Sequence, residues 1–280
     1  MVVAVVTDST AYLPAETVRA SGVAVVPLQV VVGGRAYDDG LGVDPSAVSA
    51  ALRAGTRITT SRPSPQALLD VYTRAADAGA HAIVSLHISA QMSGTHESAV
   101  LAARDSPVPT QVVDSRSLGM GLGFLVLQAA ATAAGGGSAD EIAVAARRRA
   151  EVTRTFFVVA TLEHLRRGGR IGAAAALLGS ALAVKPLLVL DDGHIAPLEK
   201  VRTRSRAVAR LVELSVAAAT PVPCELAVHH LDAADAAEEL AGWLRALVPR
   251  TDVVVGEVGA VVGAHVGPGM LAVVVCPRLT

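Results

Sequence analysis

The chain has 280 residues, a formal net charge of -1 and a composition that is 52% hydrophobic but only 2% aromatic. This length suggests about two domains, with cores built from valine, alanine and leucine. The near-zero charge argues against general binding to nucleic acids or membrane surfaces. The two cysteines, Cys224 and Cys276, lie far apart and lack metal-ligand spacing, which favours a reduced, cytoplasmic protein.

The first half of the chain alternates short apolar runs with stretches of helical pattern, which indicates a mainly parallel sheet with helices on both faces. The predicted strands are residues 2–6, 23–32, 82–88 and 110–113. The predicted helices are residues 14–20, 45–54, 65–78, 97–104, 118–134 and 140–152, and residues 59–63 form an exposed polar connector. We predict that this α/β domain covers residues 1–152.

The second half differs because several predicted strands form hairpins beside helices, which indicates an α+β domain over residues 153–280. The predicted strands are residues 156–161, 186–190, 194–200, 224–229, 253–258 and 270–275. The predicted helices are residues 162–167, 173–182, 204–219 and 233–247, and residues 265–269 form a loop. Two apolar stretches, 118–134 and 173–190, are interrupted by glycines or by Lys185-Pro186, so we expect buried elements rather than membrane spans.

A hydroxyl-rich loop with the sequence SAQMSGT, residues 89–95, joins the most apolar strand of the first half to a helix. Ser93 is expected to cap that helix, and Gly94 lets another group approach the backbone. With loops 7–10 and 114–115, this loop should lie at the carboxyl edge of the sheet, where ligands of such folds bind. The N–H groups at a helix start suit an anion. The three loops together therefore indicate an anion-binding site.

The same sheet edge could instead serve an enzyme that acts on a small phosphorylated or carboxylated substrate, and this alternative stays open. His87 and His265 are candidate bases, but no strand-to-helix turn has the G-x-S-x-G pattern, and we expect no Ser-His-Asp arrangement. The glycines of residues 119–123 are spaced wrongly for a dinucleotide site and more simply allow close packing. No cluster of His, Cys and carboxylates has metal-ligand spacing.

The second half carries a local excess of basic residues over the acids Asp191, Asp192 and Glu199. The basic residues are Arg166, Arg167, Arg170, Lys185, Lys200, Arg202, Arg204, Arg206 and Arg210. A positive surface on a nearly neutral protein suggests an anionic ligand or an acidic partner.

A set of short motifs runs along nearly the whole chain. They are TDSTAYLP at residues 7–14, TSRPSP at 60–65, SAQMSGTHESA at 89–99, DS at 114–115, LRRGGRI at 165–171, KPLL at 185–188, KVRTRSRA at 200–207 and GAHVGPG at 263–269. In this order and spacing they resemble the DegV family of bacterial fatty-acid-binding proteins. Two positions depart from the family pattern, because Tyr12 replaces an acid and His96 replaces an aromatic residue. We expect Tyr12 to affect helix capping and His96 to affect the pocket mouth.

The resemblance implies a two-domain protein that holds one long-chain fatty acid, such as palmitate, stearate or oleate, in an apolar tunnel between the domains. It implies no catalysis and no cofactor. A separate fatty-acid kinase would convert the presented carboxylate to an acyl phosphate for phospholipid synthesis. Carried onto matching positions, the carboxylate would be held by Thr60 or Ser61, by Ser93 with Gly94 and Thr95, and by His265. Arg170 and Arg202 would lie near the phosphoryl-transfer or partner face.

Overall fold

The computed structural model describes residues 2–177, 185–220 and 222–279. The strands are β1 Val3–Asp8, β2 Ala24–Val26, β3 Gln29–Val32, β4 Arg35–Asp38, β5 Ile58–Ser61, β6 Ala82–His87, β7 Thr110–Asp114, β8 Arg154–Val158, β9 Lys185–Asp191, β10 His194–Val201, β11 Cys224–His230, β12 Val253–Glu257 and β13 Leu271–Pro277. The α-helices are α1 Ala15–Ser21, α2 Pro45–Arg53, α3 Pro65–Asp77, α4 Thr95–Arg104, α5 Met120–Ala134, α6 Ala139–Val152, α7 Glu163–Arg167, α8 Arg204–Ala219, α9 Ala234–Leu247 and α10 Ala260–Val266.

The chain folds into two compact units. One comprises Met1–Gln29 with Ser61–Glu151, and the other comprises Val30–Thr60 with Val152–Thr280. The later division falls beside the predicted boundary at residues 152 and 153. The sequence analysis placed residues 30–60 in the first domain, whereas they pack as part of the second unit.

Four parallel strands form the sheet of the first unit, in the order β2-β1-β6-β7. All six residues of β6 are buried, as expected for a strand that is covered on both faces. The chain runs from β1 to one neighbour, β2, and only later to the other neighbour, β6. The carboxyl ends of β1 and β6 therefore flank a topological switch point, which is where open α/β sheets bind ligands.

Helices cover both faces of this sheet, which confirms the predicted α/β architecture. Helices α3 and α4 pack through Leu68, Tyr72 and Ala99 against Val6 and Ile83 of the sheet. Helix α5 contacts β1, β6 and α1 instead. A Cβ atom at Gly123 of α5 would lie only 3.0 Å from the carbonyl oxygen of Ala11, so this glycine allows the close packing that the sequence predicts.

The second unit contains a six-stranded sheet in the order β10-β9-β8-β13-β11-β12. Strands β11 and β12 are parallel, and the other neighbours are antiparallel. Helices α8 and α9 supply Leu211, Leu240 and Leu244 to a core that also contains Leu226 and Val273. The predicted α+β character is confirmed. Residues 173–177 of the predicted helix 173–182 belong to a 3-10 helix, Gly172–Leu177, and residues 178–182 lie outside the described residues.

Helix α10 explains why residues 30–60 belong to the second unit. These residues form a small sheet in the order β4-β3-β5, and their helix α2 packs against α10. The buried carboxylate of Asp39 accepts a hydrogen bond from the N–H of Val261, at 3.2 Å, in the first turn of α10. Arg53 at the end of α2 forms an ion pair with Asp232.

Three local expectations were wrong. Residues 23–32 form two strands, because Pro27 has no N–H to donate and Leu28 donates to Ser9 instead, at 3.1 Å. The predicted connector 59–63 begins within strand β5. His265 lies in α10 rather than in a loop, because the apolar run before it is buried as a short helix that ends at Gly267, where φ is 74°.

Candidate functional site

The three predicted loops lie together at the carboxyl edge of the parallel sheet, and hydrogen bonds join them. The N–H of Gly119 donates to the carbonyl of Thr10 at 2.7 Å. The N–H of Ala90 donates to the carboxylate of Asp114 at 3.1 Å. The loops after β1, β6 and β7 therefore form one connected edge, as the positions of their polar residues predict.

The buried carboxylate of Asp8 connects the ends of β1 and β6. Its Oδ1 accepts hydrogen bonds from the N–H of Thr10 at 3.0 Å and from the Thr10 hydroxyl at 2.5 Å. Its Oδ2 accepts one from the N–H of Ile88 at 2.9 Å and lies 3.0 Å from Nδ1 of His87. Hydrogen bonds to an ionised group are about twice as strong as neutral ones, so Asp8 fixes the backbone where both loops begin.

A chain of hydrogen bonds continues from His87 into the core. Its Nε2 lies 2.7 Å from the hydroxyl of Ser85, and that hydroxyl accepts from the Tyr72 phenol at 2.9 Å. Burial raises the pKa of Tyr72 to about 12, so the phenol stays protonated and donates. Ser85 then donates to Nε2, and the Nδ1–H of His87 donates to Asp8. Every polar side-chain group in this series of hydrogen bonds, from Tyr72 to Asp8, then has a partner.

Ser85, His87 and Asp8 form a Ser-His-Asp arrangement, so the expectation that none exists was wrong. Sequence reasoning missed it because two of its members alternate along β6 and the third ends β1. All three residues are fully buried, and the hydroxyl of Ser85 is already engaged by Tyr72. A nucleophile has to reach its substrate, and this serine cannot. The hydrogen bonds of this arrangement instead stabilise the carboxyl ends of β1 and β6.

The loop before α4 brings two hydroxyls to the start of that helix. Gly94, not Ser93, is the N-cap residue, so the prediction that Ser93 caps the helix was wrong by one position. Ser93 turns onto Thr95 instead: their hydroxyl oxygens are 2.8 Å apart, and Ser93 accepts from the N–H of Thr95 at 3.3 Å. The first N–H groups of an α-helix have no partner inside the helix. This helix start therefore offers hydroxyl and N–H donors suited to an anion.

Arg62 is a residue of this region that the sequence analysis did not single out. One guanidinium nitrogen lies 3.2 Å from the carbonyl oxygen of Gly94 and 2.6 Å from the carboxylate of Glu97. The motif TSRPSP contains this arginine and could have indicated its role, but the sequence analysis considered only the hydroxyl groups of the motif. Arg62 brings a positive charge to the start of α4, and Glu97 partly balances it.

Strand β5 and helix α10 bring Thr60 and His265 together in the second unit. The hydroxyl oxygen of Thr60 lies 2.8 Å from Nε2 of His265. Neighbouring side chains of a strand point to opposite faces, and Ser61 is accordingly exposed, with its hydroxyl 3.5 Å from the Gln29 amide oxygen. The sequence left Thr60 and Ser61 as alternatives, and the structure pairs Thr60 with the histidine.

The ring of His265 is held in its neutral form. Burial and, to a smaller extent, the charge of Arg170 lower the pKa of His265 to about 4. Its Nδ1 is buried and has no hydrogen-bond partner among the described residues. The guanidinium of Arg170 donates to the carbonyl of Gly168 at 2.7 Å. Thr60, a neutral His265 and Arg170 are thus neighbours within one unit.

The predicted positive surface is less charged than the sequence suggests, because two acids that the sequence analysis left out form ion pairs there. Glu163 pairs with Arg166 and Arg167, and Glu213 joins Glu199 in pairing with Arg210. Arg202 is exposed in the turn between β10 and α8. Glu163, Glu199 and Glu213 therefore offset part of the positive charge that the sequence analysis counted.

The two departures from the family pattern have defined places. Tyr12, with φ of 48°, ends the 3-10 helix Ser9–Ala11 and donates its N–H to Ser9 at 3.2 Å, which is the predicted capping role. His96 lies half-buried in the first turn of α4, where burial lowers its pKa.

Within the described ranges there is no helix with the length and apolarity to cross a membrane, and no group of three or more His, Cys, Asp or Glu residues placed to hold a metal ion.

A family model described as "Uncharacterised protein, DegV family" matches residues 2–278. The chain belongs to the DegV family. A DegV domain-containing protein of Streptomyces coelicolor is 54% identical over 277 residues, which cover 99% of each protein. The protein DegV of Bacillus subtilis is 36% identical over 282 residues, again covering 99% of each.

The fold is similar to that of solved DegV-family structures. One is described as "Fatty Acid Binding of a DegV family Protein from Thermus thermophilus"; its TM-score is 0.93 at 35% identity, covering 99% of this chain and 100% of that one. Another is described as "DegV, a fatty acid binding protein from Bacillus subtilis"; its TM-score is 0.91 at 34% identity, with the same coverage. The family resemblance seen in the motifs is confirmed.

The low pKa of His265 leads to a pH dependence of stability. The unfolded ring has a pKa near 6.5 and the folded ring one of about 4, so between these values the unfolded state binds more protons. The free energy of unfolding should therefore fall as the pH falls from about 6.5 to 4, by at most about 1.4 kcal/mol per pH unit for each such group. His229, buried with a pKa of about 4, adds a second contribution.

Urea unfolding of the protein and of His265→Gln, measured from pH 7 to pH 4.5, checks this prediction. The variant should lose part of the pH dependence and keep the part due to His229. Identical slopes for both proteins would show that His265 is not held neutral.

Proposed function

We propose that the chain binds one long-chain fatty acid, such as palmitate, stearate or oleate, and presents its carboxylate to a separate fatty-acid kinase for acyl-phosphate formation. The observation that carries the proposal is the likeness, over the whole chain, to two DegV structures described as fatty-acid-binding. The two buried free cysteines fit a reducing compartment, and we place this activity in the cytoplasm.

The proposed ligands of the carboxylate are neutral donors. In the first unit these are the hydroxyl of Ser93 and the N–H groups of Gly94 and Thr95 at the start of α4. In the second unit it is the hydroxyl of Thr60, which the ring of His265 orients from behind. A carboxylate that leaves water needs such donors, and neutral donors keep it nucleophilic, as phosphoryl transfer to it requires.

The proton of His265 belongs on Nε2 in this proposal. Buried N–H groups without a partner are rarer than buried acceptors without one, and Nδ1 has no partner among the described residues. Nε2–H then donates to the oxygen of Thr60, and the hydroxyl proton of Thr60 stays available for the ligand. His265 thus orients the donor, while burial and, to a smaller extent, the charge of Arg170 disfavour protonation of the ring.

The acyl chain supplies the larger part of the binding energy. A chain of palmitate size gains on the order of 12 kcal/mol when it is buried, at about 0.8 kcal/mol per methylene, before the costs of ordering and association. The carboxylate contacts add less energy but decide the position of the head group. We propose that the protein itself is not a catalyst, because its Ser-His-Asp arrangement is buried.

Thr60→Val should weaken fatty-acid binding, whereas the neighbouring Ser61→Ala should not. Valine keeps the shape of threonine but removes the hydroxyl, and a hydrogen bond to a charged group is worth about 1.5–3 kcal/mol. We therefore expect about a tenfold or larger rise in Kd for oleate, measured by calorimetric titration of lipid-free protein. Ser93→Ala should show a similar loss.

Thermal unfolding of the lipid-free variants separates binding from stability. Because the Ser93 hydroxyl accepts from the N–H of Thr95 at the start of α4, Ser93→Ala should cost about 1 kcal/mol of stability, and its Kd is interpreted only for the fraction that stays folded. Normal oleate binding by a folded Thr60→Val, or equal losses for Thr60→Val and Ser61→Ala, would contradict the assignment.

Arg202→Ala should slow acyl-phosphate formation by the cognate kinase while leaving the Kd for oleate nearly unchanged. The reason is that Arg202 is exposed and would attract an acidic partner or its nucleotide phosphates rather than line an apolar site. The rate is measured at saturating oleate, with Arg250→Ala, at an exposed arginine far along the chain, as the control. A parallel loss of oleate affinity would place Arg202 in the binding site instead.

A further inference from the structure

The backbone conformation at residue 168 does not require a glycine, yet the residue there is Gly168. It ends helix α7 with φ of −76° and ψ of −7°, which is the right-handed helical region open to ordinary residues. Its neighbour Gly169 differs, because φ there is +69°, a value that favours glycine. The absence of a side chain at Gly168 must therefore have another cause.

The cause is the ring of His265. A Cβ atom built on Gly168 would overlap Nδ1 of His265 and would lie 2.8 Å from Cε1 of the same ring. Real Cβ atoms essentially never come closer than 3.0 Å to another heavy atom. The ring thus lies against the bare α-carbon of Gly168 with one nitrogen, and its other nitrogen contacts Thr60 at 2.8 Å.

A reciprocal contact joins the same two helix ends. A Cβ atom at Gly267, just after α10, would overlap the ring of His164 in α7, and φ at Gly267 is +74°. Each helix therefore places a histidine ring over a glycine of the other. Arg170 also donates to the carbonyl of Gly168, which holds the turn after α7 in place.

We propose that Gly168 is a positioning residue, whose missing side chain lets His265 reach Thr60 and orient its hydroxyl. Even alanine at this position would push the ring away from its place or turn it, and either movement breaks the 2.8 Å contact. The effect on ligand binding rests on the proposed fatty-acid function, whereas the effect on the His265 ring does not depend on any ligand.

The first test compares Gly168→Ala with Gly242→Ala, using NMR titration of the His265 ring in lipid-free protein. Gly242 lies in α9, and a Cβ atom there would have no described atom within 4 Å, so it is a matched control. In Gly168→Ala the ring should leave its buried place, and its pKa should rise from about 4 toward 6.5. The same pKa in both variants and in the unchanged protein would overturn the proposal.

The second test is a double-mutant cycle with His265→Ala, read as the Kd for oleate. Gly168→Ala alone should raise Kd about tenfold, and it should add no further loss once the ring is absent. If Gly168→Ala does not fold, adding His265→Ala should restore folding, because the overlapping ring is gone. Losses that simply add, or a double variant that stays unfolded, would overturn the proposal. Absence of oleate binding in every protein would refute the fatty-acid function alone, since the ring titration still tests Gly168.

Discussion

The buried carboxylate of Asp8 is the interaction on which the sheet edge depends. It lies at the switch point between β1 and β6 and receives donors from both strand ends, including the N–H of Ile88 at 2.9 Å. A buried carboxylate is stable only when its oxygens are hydrogen-bonded, so the loops that supply these donors are held in one arrangement. The loop that leads to Ser93 and α4 starts from this fixed point.

Helix starts could be predicted from the sequence where the capping side chain and the N–H that it accepts from lie within one helical turn. Asp44 accepts from the N–H of Ser46, and Ser64 accepts from the N–H of Ala67, so the starts of α2 and α3 were predicted correctly. Helix α8, Arg204–Ala219, has the bounds that its pattern predicts. The alternation of the first half and the hairpins of the second half gave the two architectures.

Interactions between distant residues were not readable in the same way. Asp8 and His87 are 79 positions apart, and Thr60 and His265 are 205 positions apart. The stretch at Thr60 has β-branched residues but no alternating apolar pattern, so strand β5, which pairs with β3, was not predicted. The motifs of the DegV family indicated which residues matter, but the pairing of Thr60 with His265 required the fold.

The donors that we propose for the carboxylate are positioned differently in the two units. The first uses a helix start with two hydroxyls, and the second uses a hydroxyl oriented by a neutral histidine. In both, the nearby arginines, Arg62 and Arg170, bond to backbone carbonyls. Positive charge is thus kept close to these hydroxyl and N–H groups, while the groups themselves stay neutral.

Native mass spectrometry of the purified protein tests the central claim most directly. The account predicts a mass that exceeds that of the chain by one long-chain fatty acid, released and identified after denaturation. A mass equal to that of the chain alone, with no uptake after incubation with palmitate, stearate or oleate, would contradict it.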